Sequence, residues 1–436
     1  MNRRNFFASS LDIMGDVALP EQKSSTASKG TAARPVPQHP TTGIAPYTGV
    51  WGEQQAAHLL RRTMFGPTHA EVSKAVKDGL GKTVSGLLAK QTDAIPPINF
   101  EDAADVLWYH RKNPGAFDSR SNALKGWWMD LMLFQPVNIT EKMSLFWHNH
   151  LVTSINGVGD PRLSYEYLQL IRGNCLGNFK TLALSMSKNA AMLVYLHGNQ
   201  NKVGSPNQDF ARELMELFTI GRVDGNGNPN YTQQDVQEIA RALTGWVTIP
   251  DNTGLLLQPF TSFSSANHDI GLKQLSAHFG HATVQRQLPT QYQNELDDVI
   301  DILFARKELA ENMVREIYRW FVYYDIDATV EQNVIQPLAT IFRNSGYEIK
   351  PVMETLLSSE HFYDILVVGA LIKNPLDFTI GTVRSTMDVA AKTKLQLNPM
   401  SRYDLAMFLH EVSSRLQMEL LNPPNVAGWK AYYQYP

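Results

Sequence analysis

From Trp51 onward, apolar residues recur at intervals of three and four along nearly the whole chain. This spacing gathers them on one face of an α-helix, whereas a half-buried strand would alternate with a period of two. Thr68 followed by Glu71 adds a capping-box signature, since the threonine oxygen accepts from a backbone N–H while the glutamate reaches back. The pattern predicts a mainly α-helical, orthogonal multi-helix body, with further helical runs near 101–111, 122–135, 140–150, 162–172, 178–196, 293–305, 307–323, 329–344, 349–358, 371–392 and 403–421.

The stretch 247–290 departs from this spacing. Pro, Thr, Gly and Phe are mixed there without a helical period, which predicts irregular chain with a short hairpin. Two organisations of residues 51–436 follow from this. Either they form a single helical domain, or the insert divides them into two lobes, 51–246 and 291–436.

Bulk composition excludes several classes of protein. The formal net charge is -3 over 436 residues, which gives no basic field for binding nucleic acid. The sequence lacks a run of about 18 apolar residues, so it predicts no transmembrane segment. Cys175 is the single cysteine and cannot form an internal disulfide, so packing must stabilise the fold.

Residues 1–50 are predicted to be a leader-like segment and a disordered linker. The run RRNFF at 3–7 is typical of the start of a twin-arginine export signal, but Asp12 and Asp16 interrupt the apolar stretch that should follow. An accidental arginine pair is the alternative. The Pro-, Ser- and Thr-rich residues 20–49 indicate a linker. A leader before a folded body favours a periplasmic, cell-envelope or secreted location, with the cytoplasm as the alternative.

An acidic stripe marks the helix expected over 210–220. Phe210 and Leu214 fall on its buried face, while three carboxylates at i, i+4 and i+7 share another face: Asp209, Glu213 and Glu216. Like charges at this spacing repel by a few tenths of a kcal/mol per pair. Arg212 beside the stripe, Arg241 from the next helix, or a bound cation could offset that repulsion.

The loop after this helix spaces its oxygen side chains as a calcium loop does. Candidate ligands of Ca²⁺ or another divalent cation are Asp224, Asn226, Asn228, Thr232 and Asp235. Pro229 replaces the usual glycine at the sixth position, and the last ligand is an aspartate where a longer glutamate is usual. Ordinary turn formation, with Thr232 and Asp235 capping the next helix, explains much of the same pattern.

Two histidines, His148 and His150, are candidate ligands or acid–base groups. Residues two apart on a helix point about 200° apart, so they can share a metal only if the helix ends between them. His150 also continues an apolar stripe, which predicts a buried core histidine. With Glu213 and Glu216 they form the candidate catalytic set. His268 and Asp269 are either an oriented acid–base pair or a loop turn.

Six segments resemble the bacterial domain-of-unknown-function family numbered 1800: HLLRRTMFGPT (58–68), FWHNHLVTS (146–154), 191–221, 231–246, HDIGLK (268–273) and PPNVAGW (423–429). The resemblance implies an exported protein, often with a twin-arginine-like leader. It also implies a co-encoded exported partner related to sulfatases, and it implies no established activity. The chain departs from the family at His197, where Asp is usual, and at 207–209, where Asn-Glu-Asn is frequent.

Two functions follow. The first is a cation-assisted hydrolase of the cell envelope that acts on a polysaccharide or related polymer, with a carboxylate or histidine as general base. It requires the candidate side chains to converge on one pocket. The second is a non-catalytic helical binding or assembly protein with at most a structural Ca²⁺. It requires a neutralised acidic stripe and scattered histidines.

Overall fold

The computed structural model describes residues 39–91, 94–106, 108, 113–249, 260–386 and 398–429. The leader-like residues 1–38 lie outside this set. Residues 39–50, the last part of the predicted linker, pair with the body through their backbone. Tyr47 N donates to Ser358 O at 2.8 Å, and Glu360 N donates to Ala45 O at 2.8 Å. This part of the linker is therefore held in place by hydrogen bonds.

The fold is mainly α-helical, as the apolar spacing predicts. The helices of the described residues are α1 Glu53–Thr63, α2 His69–Asp78, α3 Leu80–Leu87, α4 Phe117–Leu133, α5 Thr140–His150, α6 Ile155–Val158, α7 Pro161–Asn174, α8 Phe179–Ser187, α9 Ala190–Tyr195, α10 Gln208–Glu216, α11 Gln233–Ala242, α12 Glu295–Phe304, α13 Lys307–Phe321, α14 Ala328–Val330, α15 Gln336–Asn344, α16 Ile349–Leu357, α17 Pro375–Thr386 and α18 Pro399–Arg415. A π-helical turn, Glu331–Ile335, joins α14 to α15. Short 3₁₀ turns lie at Ala103–Asp105, Pro114–Ala116, Gly198–Gln200, Ser265–Asn267, Ala277–Phe279, Pro289–Asn294 and His361–Tyr363.

Local capping decides where several helices begin. The capping box predicted at Thr68 and Glu71 is present at the start of α2. The predicted run 178–196 is two helices, because the Asn189 side chain accepts from Ala191 N and Met192 N and starts α9 there. The helix predicted at 101–111 is wrong in its described part, which forms only the turn Ala103–Asp105.

The insert contains the short β-structure that the sequence predicts. Strands β1 (Trp246–Thr248) and β2 (Thr261–Phe263) pair antiparallel, with Val247 opposite Ser262. Strands β3 (Lys273–Gln274) and β4 (Thr283–Val284) form a second antiparallel pair. Each sheet has two strands, so the insert depends on contacts with the helices for its stability.

One hydrophobic cluster runs from Ala56 in α1 to Leu421 after α18. It includes large aromatic side chains that are fully buried, among them Trp128 and Trp147. Helices α4 and α18 approach closely at Gly126, where an added Cβ would lie 2.6 Å from Tyr403 Cε2. Glycine is needed at that position because the aromatic ring occupies the space of a side chain. Within the described residues, the helices are too short or too polar to cross a membrane.

Candidate functional site

The acidic stripe on α10 differs from the prediction in its extent and exposure. The helix ends at Glu216, earlier than expected, because Phe218 N donates to Glu213 O, five residues back, where a continuing helix would have a bond to Leu214 O. Asp209 is exposed, but the Glu213 side chain is buried on the helix face that carries Phe210. Burial, followed by the charge of Glu213, raises the pKa of Tyr195 to about 12. The three carboxylates therefore do not form one solvent-facing stripe.

Two side chains on the outer part of α10, Glu216 and Arg212, form hydrogen bonds with residues outside the helix. Tyr231 Oη donates to Glu216 Oε1. Arg212 Nη2 donates to Gln233 Oε1 at 3.1 Å. Arg241 is not the partner of the stripe, because its guanidinium binds Glu238 and Asp269 instead. That alternative for neutralising the stripe was wrong.

The predicted calcium loop closes on its own first residue. Asp224 Oδ1 accepts from Asn226 N and Asn228 N at 2.8 Å each, and Oδ2 accepts from Asn228 Nδ2 at 3.1 Å. The hydrogen bonds from Asn228 hold the pKa of the Asp224 carboxyl below its usual value. These bonds are those of a turn stabilised by an aspartate side chain. Calcium binding by this loop stays a prediction.

Thr232 and Asp235 form the predicted capping box at the start of α11. Asp235 is fully buried, and its Oδ2 accepts from Thr232 N at 2.7 Å and from Ser276 Oγ at 2.7 Å. Its Oδ1 accepts from Ser276 N at 2.7 Å. Asp235 therefore joins the insert to α11. These hydrogen bonds do not involve the Asp224 turn.

His148 sits inside the body. Its Nδ1 lies 2.9 Å from Tyr167 Oη, and that hydroxyl donates to Leu151 O at 2.6 Å, so Nδ1 is the donor to tyrosine. Its Nε2 has no hydrogen-bond partner among the described residues. Edge contacts to Trp128 and Trp429 surround the ring. Burial lowers the pKa of His148 to about 3, so the ring is neutral near pH 7.

His150 lies two residues further along the same helix and has different neighbours. Its ring stacks on Phe146 at 5.9 Å, and Nε2 lies 3.4 Å from Phe218 O, just beyond α10. Burial lowers the pKa of His150 as well. The helix does not end between the two histidines, so their rings occupy separate surroundings. Among the described residues, no group of three or more His, Cys, Asp or Glu could hold a metal ion.

His268 pairs with Glu295, a residue that no sequence pattern indicated. Its Nε2 lies 3.2 Å from Glu295 Oε2, as an ion contact more than an aligned hydrogen bond, and Lys273 Nζ lies 2.5 Å from the same oxygen. All three side chains are fully buried. Asp269 turns away and pairs with Arg241 at 2.9 Å, so the predicted His268–Asp269 acid–base pair is not formed. Glu295 follows the insert, and no local spacing pointed to it.

A cavity of about 390 Å³ opens where α4, the α6–α7 junction and β1 meet. Its wall includes Arg120 and Phe117 of α4, Asp160 and Arg162 at the start of α7, and Phe260 before β2. None of the nine candidate site residues lines it. A signal was present in the sequence, since Arg120 lies within an otherwise apolar helix face and Asp160-Pro161 marks a helix start.

The charged groups of this cavity are fixed in position. Arg120 contacts Asp105 through Nε at 2.5 Å and Nη2 at 2.6 Å, and the arginine side chain is 2% exposed. Arg162 contacts Asp160 through Nη2 at 2.8 Å and Nε at 3.2 Å, and its side chain is 3% exposed. Asp160 also caps α7, accepting from Arg162 N. Such forked pairs orient their donors before any ligand arrives.

Together these features define a mainly α-helical protein with small β-ribbons and a polar cavity at a helix start. Over residues 58–435 the chain matches the family model described as "Protein of unknown function (DUF1800)". It belongs to that family, as its motifs predicted. Neither the curated proteins nor the solved structures contain a match to this chain.

Proposed function

We propose that this protein binds saccharides without cleaving them, and that its cavity holds a sugar unit of a polysaccharide or related polymer. The observation that carries this proposal is the combination of aromatic rings with oriented hydrogen-bonding groups in one cavity. Its volume of about 390 Å³ lies within the range of small-ligand sites. A sugar offers both hydroxyl groups and apolar C–H faces, so it can use both kinds of wall.

The polar wall suits hydroxyl groups because its donors and acceptors are already aligned. Arg120 and Arg162 are buried and held by carboxylates, so binding would order few side chains. Asn113 and Thr248 add an amide and a hydroxyl at the edge of the cavity. A small number of fixed polar groups is what gives orientation and specificity to a site of this size.

The apolar wall is supplied by two phenylalanines. Phe117 is half-buried at the first turn of α4, and Phe260 is buried with the Arg162 guanidinium 5.6 Å from its ring centre. This cation–π contact fixes the guanidinium over the ring. Phe117 is the more accessible of the two, so it is the better candidate for contact with a sugar face.

The small number of carboxylates in the described lining of the cavity favours binding over hydrolysis. Hydrolysis by paired carboxylates needs an acid and a second carboxylate across the scissile bond. Among the described lining residues, Asp160 is the one carboxylate, and it holds Arg162 and caps α7. The candidate histidines are buried elsewhere. The cation-assisted hydrolase stays a prediction. Release of reducing ends from a polysaccharide, abolished in Glu213→Gln, would establish it.

The proposal also covers the location of the protein, its partner and its domain organisation. We propose export to the periplasm or cell envelope and a sulfatase-related exported partner, both on the family resemblance. We also propose that residues 51–436 are one domain, because a single hydrophobic cluster spans them. A structural Ca²⁺ would be detected by elemental analysis of the purified protein, together with a lower melting temperature after chelation.

Calorimetric titration with disaccharides tests the binding proposal. We expect at least one of maltose, cellobiose and the α-1,4-linked disaccharides of galactose and galacturonic acid to bind at millimolar concentration or below. Phe117→Ala should weaken that binding about tenfold, which corresponds to about 1.4 kcal/mol. Phe408→Ala, at a side chain 60% exposed and outside the cavity lining, is the matched control and should change nothing. Absence of binding by the wild type, or equal loss in both variants, refutes the proposal.

A further inference from the structure

We infer that a second copy of this chain packs against the outer face of helix α18, with the two helices antiparallel about a two-fold axis between Phe408 and Val412. The residues of this face lie outside the described lining of the cavity, so the pairing does not depend on saccharide binding. Exposed apolar side chains, the order of the charges beside them and an apolar neighbour on α17 favour this partner.

Helix α18 carries apolar side chains on two opposite faces. Its inner face, which includes Tyr403, Ala406 and Leu409, is buried in the body. At about 100° per residue, Phe408 points away from that face, and Val412 lies about 40° from Phe408 around the helix axis. The Phe408 side chain is 60% exposed. A helix on the surface of a monomer normally has a polar outer face, so an apolar outer face indicates a partner.

Further exposed apolar side chains lie beside the C-terminal end of α18. Leu416, directly after the helix, is 46% exposed, and Phe378 of α17 is 55% exposed. The Thr379 and Ser413 side chains are hydrogen-bonded at 2.9 Å, which places the turn of α17 that carries Phe378 beside the last turn of α18. Single apolar side chains on a surface are ordinary, but a group from two neighbouring helices is typical of an interaction site.

Charged side chains lie along one edge of this outer face. At about 20° to 60° from Phe408, on the side opposite to Val412, the helix carries three of them. These are Asp404, Glu411 and Arg415. Arg415 pairs with Glu411 of its own chain, with side chains 77% and 59% exposed. Asp404 is exposed and has no ion-pair partner among the described residues. The edge therefore has an unpaired carboxylate at one end and an arginine at the other.

A two-fold axis perpendicular to the helices converts this order of charges into two attractive pairs. With the axis midway between Phe408 and Val412, Phe408 faces Val412 of the second copy. At a rise of about 1.5 Å per residue, Asp404 lies about 9 Å from the axis, and Arg415 of the second copy lies about 7.5 Å from it in the same direction. Each Asp404 therefore meets an Arg415. The two copies of Glu411 lie nearest the axis, where each is paired with the Arg415 of its own chain.

The same charges favour a second copy in this orientation over other partners. A parallel pair of helices would place Asp404 against Asp404, and like charges oppose that arrangement. Helix α18 has 17 residues and is about 25 Å long, so the contact is small for a stable dimer, which usually buries about 800 Å² on each copy. We therefore expect a weak dimer with a dissociation constant on the order of 10 µM.

Sedimentation-velocity ultracentrifugation of the full chain tests this pairing between about 1 and 200 µM. Wild type should change from monomer to dimer over this range. Asp404→Arg alone should weaken self-association at least tenfold, because it places two positive charges together at both ends of the contact. Arg415→Asp alone should do the same with negative charges. Asp301→Arg, at an aspartate 64% exposed on α12, is the matched control and should change nothing.

An equimolar mixture of the two variants provides the decisive measurement. Each introduced charge then meets the opposite charge of the other variant, so the mixture should associate as tightly as wild type. A variant that fails to fold could not restore association in this way. Phe408→Ala should weaken self-association at least fivefold and leave saccharide binding unchanged.

Three results would overturn the inference. The first is a wild-type chain that stays monomeric over the whole concentration range. The second is self-association that neither single charge variant weakens, since the contact then lies on another face. The third is a mixture that associates no better than the single variants, since the helices then do not pair antiparallel.

Discussion

The buried pair of Lys273 and Glu295 provides a sharp test of how the insert packs against α12. Glu295 Oε2 accepts from Lys273 Nζ at 2.5 Å, and Oε1 accepts from Arg286 N at 2.9 Å. In Glu295→Gln, the amide group must replace one of these oxygens, so an N–H donor faces another donor in either orientation. The same change leaves the fully buried Lys273 without its counter-ion.

The expected loss in the free energy of unfolding is about 3–5 kcal/mol, the usual cost of removing one partner of a buried pair. Urea denaturation followed by circular dichroism measures it. Glu411→Gln is the control, because its pair with Arg415 has side chains 59% and 77% exposed. We expect that change to be within about 0.5 kcal/mol.

The pH dependence of the effect has a defined sign. Burial alone would raise the pKa of Glu295, but the contacts with His268 and Lys273 outweigh it, and the pKa is lowered. The stabilisation is therefore present above the unfolded pKa of about 4.3 and is lost as pH falls through the folded value. The difference between wild type and Glu295→Gln should shrink below about pH 4.

Two results would refute this reasoning. The first is a Glu295→Gln protein whose unfolding free energy lies within about 1 kcal/mol of wild type at pH 7. The second concerns the double variant Lys273→Met with Glu295→Leu, which removes both charges. It should lose less than the two single variants added together, because apolar side chains can replace a buried pair at little cost. A fully additive loss would mean that the two charges do not interact.

Three further predictions concern single side chains. Because burial lowers the pKa of His148 to about 3, stability should fall as pH drops below about 6.5, and His148→Phe should reduce the loss between pH 7 and pH 5 by about 2 kcal/mol in urea denaturation. Asp235→Asn places an amide against the donors of Ser276 and should lower the unfolding free energy by about 1–3 kcal/mol. Gly126→Ala should lower the melting temperature through about 1–3 kcal/mol of overpacking against Tyr403, and an unchanged melting temperature would show that the helices can separate freely.

Local patterns in the sequence were sufficient for most of the helical fold. Apolar spacing located the helices, and the capping residues Thr68 and Thr232 marked two of their starts correctly. Both signals depend on residues within one turn of each other, so they can be recognised without knowing the fold. The helix ends were less predictable. Helix α10 stops at Glu216 through backbone bonds that leave no mark on the apolar pattern.

The side chains that meet across long sequence distances could not be predicted in this way. Glu295 is 22 residues from Lys273, and Asp105 is 15 residues from Arg120. Their pairing depends on how the insert and the helices pack. The like-charge spacing on α10 also predicted three carboxylates on one exposed face, whereas the Glu213 side chain is buried. A helical period gives the direction of each side chain around the helix axis. It does not say which neighbouring elements will pack over that side chain.

The loop between α9 and α10 contacts one wall of the cavity. Val194 at the end of α9 and Thr248 of β1 line the cavity wall. Thr248 Oγ1 accepts from Asn199 Nδ2 at 3.4 Å, and Asn199 belongs to the loop between α9 and α10. The Asn199 side chain therefore supports one side of the cavity, while Arg120 of α4 and Arg162 of α7 line another part of it. A substitution at Asn199 should accordingly alter ligand affinity less than one at Arg162, because Asn199 contacts the wall through one hydrogen bond whereas Arg162 lines the cavity itself.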